Sequence, residues 1–208
     1  MAHTFSSLAD KTLKDALIAG QVGVIPTDTL YGLVCSAKDK TAVSRLYKLK
    51  TRGTKPGTVI AASIEQLAKL GIKPRYLKAV EQFWPNPLSI VLPCGDELSY
   101  LHLGAFSLAV RMPKDKELNS LLEAVGPLLT TSANRPGEQP AGTLKDAKKY
   151  FGETVDFYAK GGDLSGRQPS TVIRVVDDAI EVLRPGAVII DRLGRLYDEP
   201  KNAKSYKK

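Results

Sequence analysis

The sequence has little cysteine or histidine and no long apolar run, and each shortage argues against a class of protein. Two cysteines, Cys35 and Cys94, are too few for a disulfide scaffold and form no CxxC metal pair. With only His3, in a terminus expected to be frayed, and His102, a catalytic triad or histidine-rich metal site is hard to assemble. No apolar run approaches the ~20 residues of a bilayer span, and the N-terminus lacks a signal-peptide core. The sequence therefore predicts a cytoplasmic protein with no membrane span.

Two common phosphate-binding motifs are also missing. Neither GxxxxGK[ST] nor GxGxxG occurs, although the chain has 17 glycines. An enzyme built from this chain would have to act through cations, hydroxyls and backbone donors. Such groups suit positioning and charge stabilisation during phosphoryl or nucleotidyl transfer.

The composition of the 208 residues, 43% hydrophobic and 25% charged, is that of one ordinary globular domain. We predict a single domain over 1–190 and a basic tail over 191–208. Helical and strand patterns alternate early in the chain, whereas neighbouring strands follow one another late. This order predicts an α/β protein (α+β in strict usage) with an open, twisted, mixed parallel and antiparallel sheet flanked by helices.

Capping residues mark the starts of the predicted helices. Ser6 or Ser7 precedes a helix that stops near Gly20, Asp39 precedes the most basic helix, and Ser63 with a glutamine three residues later forms a capping box. Further helices are predicted at 76–83, 115–124 and 143–151. Strands are predicted at 22–25, 30–35, 58–62, 88–93, 107–112, 128–131, 171–176 and 179–184.

The net charge of +8 is concentrated in two segments. Residues 38–55 hold seven basic side chains against the single acid Asp39, which gives a net charge of +6, and residues 191–208 add +3. A concentrated basic segment favours an anionic partner such as a nucleotide, a nucleic acid or phosphate. The alternative, which a lysine-rich segment taken alone favours, is a solvated helix face.

Five polar clusters interrupt the apolar strands at loops, where binding sites are usually built. They lie at 26–33, at 50–52, at 107–111, at 130–134, and at Ser170 together with 184–186. Hydroxyls, lysine and arginine in these clusters could bind phosphates and carboxylates. Alternation along the third cluster places Ser107, Ala109 and Arg111 on one face of a strand.

Each cluster also has a purely structural interpretation. The first is equally a capped turn with Tyr31 packed in the core. Lys50 and Arg52 are favourable at a helix C-terminus without any ligand. Arg111 is as well explained by an internal salt bridge as by an anionic ligand. No single cluster decides between a site and a structural role.

Seven short segments, taken in order, are more specific than any cluster alone. They are Pro-Thr-Asp-Thr-Leu-Tyr-Gly-Leu at 26–33, Lys-x-Arg at 50–52, Trp-Pro-Asn-Pro-Leu-Ser at 84–89, Ser-Leu-Ala-Val-Arg-x-Pro at 107–113, Thr-Ser-Ala-Asn at 131–134, Ser-Thr-Val at 170–172 and Leu-Arg-Pro-Gly at 183–186. In this order and spacing, the chain resembles the YrdC/TsaC family of threonylcarbamoyl-AMP synthases over about residues 8–190.

The resemblance implies that ATP, L-threonine and bicarbonate (or CO2) are converted to threonylcarbamoyl-AMP and pyrophosphate, a nucleotidyl transfer. The product then serves N6-threonylcarbamoyladenosine formation beside the tRNA anticodon through a separate transferase complex. Apart from the resemblance, the basic segment leads us to expect weak tRNA binding by the chain itself. Mg2+ is the implied cofactor, held mainly by the ATP phosphates rather than by a metal site of the protein.

The resemblance also assigns roles by motif position. The residues implied to hold threonine are Thr29, Arg111, Ser132 and Ser170. Those implied to line the ATP site are Arg52, Lys55, Ser107, Asn134, Gly142 and Arg184. Two cations are implied to be catalytic because they would offset the repulsion between anionic reactants, namely Lys50 and Arg52.

The chain departs from the family pattern at three places. Gly53 follows the Lys-x-Arg motif where the family usually has proline, and the loop at 53–57 is one residue short. Ile60 replaces a polar residue often found in the next strand, and 135–137 reads Arg-Pro-Gly where Ser-Gly is common. These departures bear on the expected roles of Lys55 and Gly142.

Two other functions remain as alternatives at this point. The basic segment suits an RNA-binding module in tRNA or ribosome maturation, although no RRM, KH or zinc signature is present. The other is a carbamoyl-phosphate-using relative in metalloenzyme assembly, which is usually embedded in a larger chain. Pyrophosphate release that depends on L-threonine separates the synthase from both.

Overall fold

The computed structural model describes residues 1–50, 55–177, 179–191 and 194–198. The predicted site residue Arg52, and most of the predicted basic tail, lie outside the described residues.

The described residues form seven α-helices, two short 3-10 helices at Glu81–Phe83 and Asp96–Leu98, and twelve strands. The helices are α1 Lys11–Ile18, α2 Lys40–Leu49, α3 Ile64–Leu70, α4 Pro74–Val80, α5 Ser99–His102, α6 Lys116–Val125 and α7 Leu144–Phe151. The first six strands are β1 His3–Phe5, β2 Gly23–Ile25, β3 Gly32–Ser36, β4 Thr58–Ile60, β5 Leu88–Pro93 and β6 Ser107–Arg111. The others are β7 Leu128–Ser132, β8 Phe157–Ala159, β9 Thr171–Val176, β10 Ala179–Arg184, β11 Val188–Ile190 and β12 Leu196–Asp198.

Side-chain caps set the starts of most of the longer helices, as the sequence predicts. Asp39, Ser63 and Thr143 each accept a backbone N–H from the first turn of the helix that follows. The predicted start of the first helix was wrong. Its cap is Asp10, which accepts the N–H of Thr12, so the helix begins three to four residues later than expected.

Ten strands form one mixed sheet in the order β1-β8-β2-β3-β7-β4-β6-β5-β9-β10. Four neighbouring pairs are parallel and five are antiparallel. The predicted mixed sheet with flanking helices is therefore confirmed. A separate hairpin pairs β11 with β12.

The two faces of the sheet carry different layers. On one face, which we call the closed face, α2, α3, α4, α5 and α7 pack on a continuous apolar core. On the other, which we call the open face, α1 and α6 cover a smaller core that includes Ile25, Val34, Ile60 and Leu128. Beyond these two helices the open face is lined by polar side chains at strand ends.

Sequence reasoning missed four short strands, β1, β8, β11 and β12. His3 lies in β1, which pairs in parallel with β8, so the N-terminus is part of the sheet rather than frayed. Both strands have only three residues, too few for alternation to distinguish them from a loop. The hairpin of β11 and β12 crosses the predicted boundary between the domain, which ends at 190, and the tail, which begins at 191. The division into domain and tail stays a prediction.

Part of the basic segment is engaged within the protein. The Arg45 guanidinium forms an ion pair with Asp156, with nitrogen–oxygen distances of 2.5 and 2.9 Å. The Lys40 ammonium lies 5.3 Å from the centroid of the Tyr100 ring. Among the described residues, no helix is long and apolar enough to cross a membrane.

Candidate active site

A cavity of about 230 Å³ lies on the open face, next to the part that α1 and α6 cover. It is lined by residues 27 and 29–32, by ends of β4, β6, β7 and β9 with the residues just before β4 and β9, and by one residue of β10. Its polar lining consists of hydroxyls and two guanidinium groups: Thr27, Thr29, Tyr31, Thr58, Thr130, Thr131, Ser132, Ser170, Arg111 and Arg184.

Strand alternation explains why these residues meet. Along β6, Leu108 and Val110 enter the core of the closed face, and so Ala109 and Arg111 face the cavity. Gly32 lines the cavity on β3, and a Cβ at this position would stand 2.6 Å from the hydroxyl of Thr130. Glycine at 32 is therefore what leaves room for that hydroxyl on the neighbouring strand.

A tight polar turn presents Thr29 to the cavity. The hydroxyl of Thr27 accepts the backbone N–H groups of Thr29 and Leu30 and donates to the carbonyl of Leu30 at 2.6 Å. The first cluster is thus both a capped turn and part of the cavity wall. Tyr31 is fully buried, and its hydroxyl accepts the N–H of Gly161 and donates to the carbonyl of Gly162.

Arg111 combines the two interpretations that the sequence left open. Its side chain lines the cavity and forms a buried ion pair with Asp28, with 3.1 Å between Nη2 and Oδ1. Burial raises the pKa of Asp28, and the neighbouring guanidinium opposes that rise. The Nε of Arg111 is buried without a hydrogen-bond acceptor among the described residues. Because Arg111 lines the cavity, a ligand carboxylate there could pair with its guanidinium.

Ser170 and Arg184 form a second hydrogen-bonded unit in the cavity wall. The Arg184 guanidinium donates to the carbonyl oxygen of Ser170 through Nη2 at 2.6 Å and through Nε at 3.2 Å. Nη2 also donates to the hydroxyl of Ser170 at 3.1 Å. The hairpin of β9 and β10 therefore brings the predicted threonine contact Ser170 and the predicted ATP contact Arg184 together.

Lys50 lies behind the cavity and is 4% exposed. Its ammonium donates to the carbonyl oxygens of Ser132 and Asn134 and to Oδ1 of Asn134, at 2.9, 2.5 and 2.8 Å. The hydroxyl of Ser132 also donates to Oδ1 of Asn134 at 2.7 Å. Lys50 thus fixes the turn that presents Ser132 to the cavity.

Five of the predicted residues line the cavity, namely Thr29, Arg111, Ser132, Ser170 and Arg184. The structure does not bring Lys50, Lys55, Ser107, Asn134 or Gly142 to the cavity wall, and their predicted contacts with ATP or its phosphates stay predictions.

Two of these residues have contacts of their own. The half-buried Ser107 donates its hydroxyl to the carbonyl of Ala105 at 3.3 Å. Gly142 accepts the N–H of Leu164, and a Cβ there would stand 2.4 Å from the Ser165 hydroxyl. Glycine at 142 is thus explained by close packing against the 160–169 loop.

Sequence reasoning singled out no role for Thr58 or Asp28, and it placed Thr130 and Thr131 only within a polar cluster. Thr58 and Thr130 are paired neighbours on adjacent strands, so their two hydroxyls share one face. The signal available in the sequence was the spacing of two positions between Thr130 and Ser132, which places their side chains on the same face of a strand. The pairing of Asp28 with Arg111 spans 83 positions, and no local pattern reveals it.

The lining favours an anionic ligand. Two guanidinium groups and several hydroxyls face the cavity, and no carboxylate does so among the described residues. The site therefore offers hydrogen-bond donors and positive charge, which suit carboxylate, carbamate and phosphate groups.

Comparison with known proteins agrees with this chemistry. A family model for Sua5, YciO and YrdC proteins, described as "Telomere recombination", matches residues 15–186. A threonylcarbamoyl-AMP synthase of Blochmanniella pennsylvanica is 34% identical over 83% of this chain and 91% of its own length. One from Marinobacter nauticus is 31% identical over 78% of this chain and 89% of its own.

Solved structures of Sua5 and YciO proteins are also similar to this chain. Sua5 of P. abyssi in complex with L-threonine aligns with a TM-score of 0.79 and 27% identity, over 90% of this chain. This chain spans only 58% of that Sua5 chain. YciO of E. coli aligns with a TM-score of 0.76 and 25% identity, over 89% of this chain and 96% of its own.

Proposed function

The chain belongs to the Sua5/YciO/YrdC family, and from that membership we propose that it makes threonylcarbamoyl-AMP from L-threonine, bicarbonate (or CO2) and ATP, releasing pyrophosphate. One observation carries the proposal. The cavity gathers five side chains that the ordered motifs assign to threonine and ATP, although they lie as far apart in sequence as Thr29 and Arg184.

The threonine end of the proposed site is built around Arg111. Its guanidinium is held by Asp28 and also lines the cavity, so we propose that it pairs with the threonine carboxylate. Hydroxyls of Thr29, Ser132 and Ser170 line the same cavity and could bind the remaining polar groups of the amino acid.

The ATP end is proposed to extend from Arg184. A cavity of 230 Å³ is smaller than the ~300–1,000 Å³ of sites that enclose a drug-sized ligand, so the nucleotide would reach beyond it. The further contacts predicted from the motifs are Arg52, Lys55, Ser107, Asn134 and Gly142. Lys50 is proposed to act on the phosphates either directly or, as its hydrogen bonds favour, by fixing the turn at 132–134.

The proposed chemistry needs charge stabilisation more than proton transfer. The threonine amine adds to CO2 and loses a proton, which gives a carbamate. A carbamate oxygen then attacks the α-phosphorus of ATP, and the bond to the leaving pyrophosphate breaks. Both reactants are anionic, so the guanidinium groups of Arg111 and Arg184 would offset their repulsion. No strong general base is needed once the carbamate exists.

Mg2+ is proposed as the metal cofactor that neutralises the triphosphate. The donor set of the cavity fits an ion carried by phosphate oxygens, because its described lining has no carboxylate to ligate the ion. The adenylate is proposed to pass to a separate transferase that forms N6-threonylcarbamoyladenosine in tRNA. Weak binding of tRNA by this chain remains part of the proposal.

The first test is pyrophosphate release by the purified protein with ATP, Mg2+ and bicarbonate. We expect release to be much faster with L-threonine than with L-serine or with no amino acid. Release that does not depend on threonine would contradict the proposal. So would an absence of release accompanied by tight RNA binding, which would favour the RNA-binding alternative.

Matched arginine variants locate the activity. Arg111→Lys should reduce threonine-dependent release by more than ~10-fold, because lysine cannot reproduce the planar fork. Arg174→Lys is the control, since Arg174 is half-exposed and pairs with Glu181 rather than lining the cavity. Equal losses in the two variants would show that the cavity is not the site.

A further inference from the structure

Ser89 is a buried hydroxyl beside the cavity wall, on the open face of the sheet. It lies in β5, is fully buried and does not line the cavity. Its Oγ is 3.0 Å from the Oγ of Ser170, and among the described residues this is its hydrogen-bond contact. The parallel pairing of Leu88 with Thr171 and Ser89 with Val172 fixes this proximity.

The hydrogen-bonding capacity of Ser170 makes the direction of this contact important. A serine hydroxyl has one proton to donate and two lone pairs that accept. The Ser170 oxygen already receives an N–H from Arg184, at 3.1 Å. The single proton of Ser170 can therefore go either to Ser89 or to an acceptor in the cavity, but not to both.

We propose that Ser89 is a positioning residue that donates to Ser170 and so turns the Ser170 proton toward a carboxylate or other acceptor of the bound amino acid. The proposal rests on the proposed function, because it takes L-threonine as the ligand. When Ser89 donates, Ser170 receives two hydrogen bonds and gives one, and all of its capacity is used.

Loss of the Ser89 hydroxyl acts on threonine binding through Ser170. Without Ser89, Ser170 keeps only the Arg184 donor, and its hydroxyl is free to rotate away from the ligand. A hydrogen bond that a hydroxyl accepts also polarises its O–H group and so strengthens the hydrogen bond that this hydroxyl donates. One hydrogen bond of ordinary strength corresponds to about 2- to 12-fold in affinity.

The test is a double-mutant cycle on L-threonine affinity, measured by titration calorimetry without any turnover. We expect Ser89→Ala to weaken binding about 2- to 12-fold in the wild-type background and to have no further effect in a Ser170→Ala background. Equal weakening in both backgrounds, or no weakening in the first, would overturn the positioning role. Ser89→Cys keeps the volume and serves in the same cycle if the alanine variant does not fold.

Two controls separate positioning from general packing. Ser89→Thr keeps the hydroxyl and should bind threonine within about 2-fold of the wild type. Thr171→Val removes a buried hydroxyl that bonds to Val188 on the other side of β9, and it should lower the melting temperature without changing threonine affinity. If the wild type itself shows no heat with L-threonine, the proposed function fails and the positioning role falls with it. If the wild type binds and Ser89→Ala binds equally well, only the positioning role fails.

Discussion

The two faces of the ten-stranded sheet put the same strands to different uses. The closed face is covered by five helices and packs as one apolar core, whereas the open face is covered by two helices and then gives way to a polar cavity. On β6 the residues alternate between these two environments, with Val110 in the core and Arg111 beside the cavity. A strand of five residues thus contributes to stability and to the site at once.

The two faces of the sheet differ most clearly in whether charged side chains are buried there. The closed-face core is apolar, and its strength depends on the area and fit of its side chains. The open face buries the ion pair of Asp28 and Arg111, which is costly to desolvate and which packing alone does not explain. A buried pair that is costly, and whose arginine lines a cavity, is better explained by ligand binding than by stability.

The largest effect is expected from Arg111→Met, which removes one partner of the buried pair. At pH 7 the variant should lose about 4 kcal/mol of unfolding free energy, because the Asp28 carboxylate is left without its counter-charge. The pKa of Asp28, already raised by burial, should rise further. Because the pKa of Asp28 is higher in the folded than in the unfolded protein, the contribution of this carboxyl to the unfolding free energy is full below its unfolded pKa. That contribution is lost as the pH rises through the folded pKa.

Urea unfolding at pH 4.5 and pH 7 measures this dependence. We expect the deficit of Arg111→Met to be smaller at the lower pH, and Asp28→Asn added to it should recover part of the loss at pH 7. A deficit that does not change with pH would show that Asp28 is not the group responsible.

On the closed face, Leu77→Ala should cost about 3 kcal/mol, since it leaves a cavity in the core at a fully buried position of α4. Threonine affinity of the folded variant should be unchanged, because Leu77 is on the opposite side of the sheet from the cavity. Denaturant unfolding and calorimetric titration measure the two quantities. A parallel loss of affinity would mean that the two faces are less independent than their packing indicates.

Lys50→Met should have a mixed effect, because Lys50 is buried but serves the turn behind the cavity. The loss of its N–H donors leaves the carbonyl of Asn134 without the lysine and the carbonyl of Ser132 with only the N–H of Asn134, at a cost of about 2 kcal/mol. Threonine-dependent pyrophosphate release should fall by more than ~10-fold. Normal release from a variant with lower stability would leave Lys50 with a structural role alone.

The smallest effect is expected from Ser107→Ala, at the edge of the open face. Its hydroxyl is half-buried and donates only to a neighbouring carbonyl, so the unfolding free energy should change by less than about 0.5 kcal/mol. If Ser107 contacts ATP as the motif implies, the KM for ATP should rise about 2- to 10-fold while the KM for threonine stays constant. An unchanged KM for ATP would remove Ser107 from the nucleotide site.

Much of the local structure could be predicted because its causes are local. The caps at Asp39, Ser63 and Thr143, and the hairpin of β9 and β10, follow from short-range hydrogen bonding and alternation. The three-residue strands β1 and β8 escaped because each is defined by its partner across the sheet rather than by its own pattern.

The sequence by itself determined the order of motifs, the family that this order indicates, and the residues assigned to threonine and ATP. Only the tertiary structure decided which other residues contact and position these site residues. Asp28 reaches Arg111 across 83 positions and Ser89 reaches Ser170 across 81, because strand order and register bring them together. Strand order and register depend on how whole faces of the sheet pack, whereas a motif contains information only about its own short segment. Lys50 is an example: the sequence identified the cation, and only the fold showed that its ammonium donates to two carbonyls and an amide oxygen.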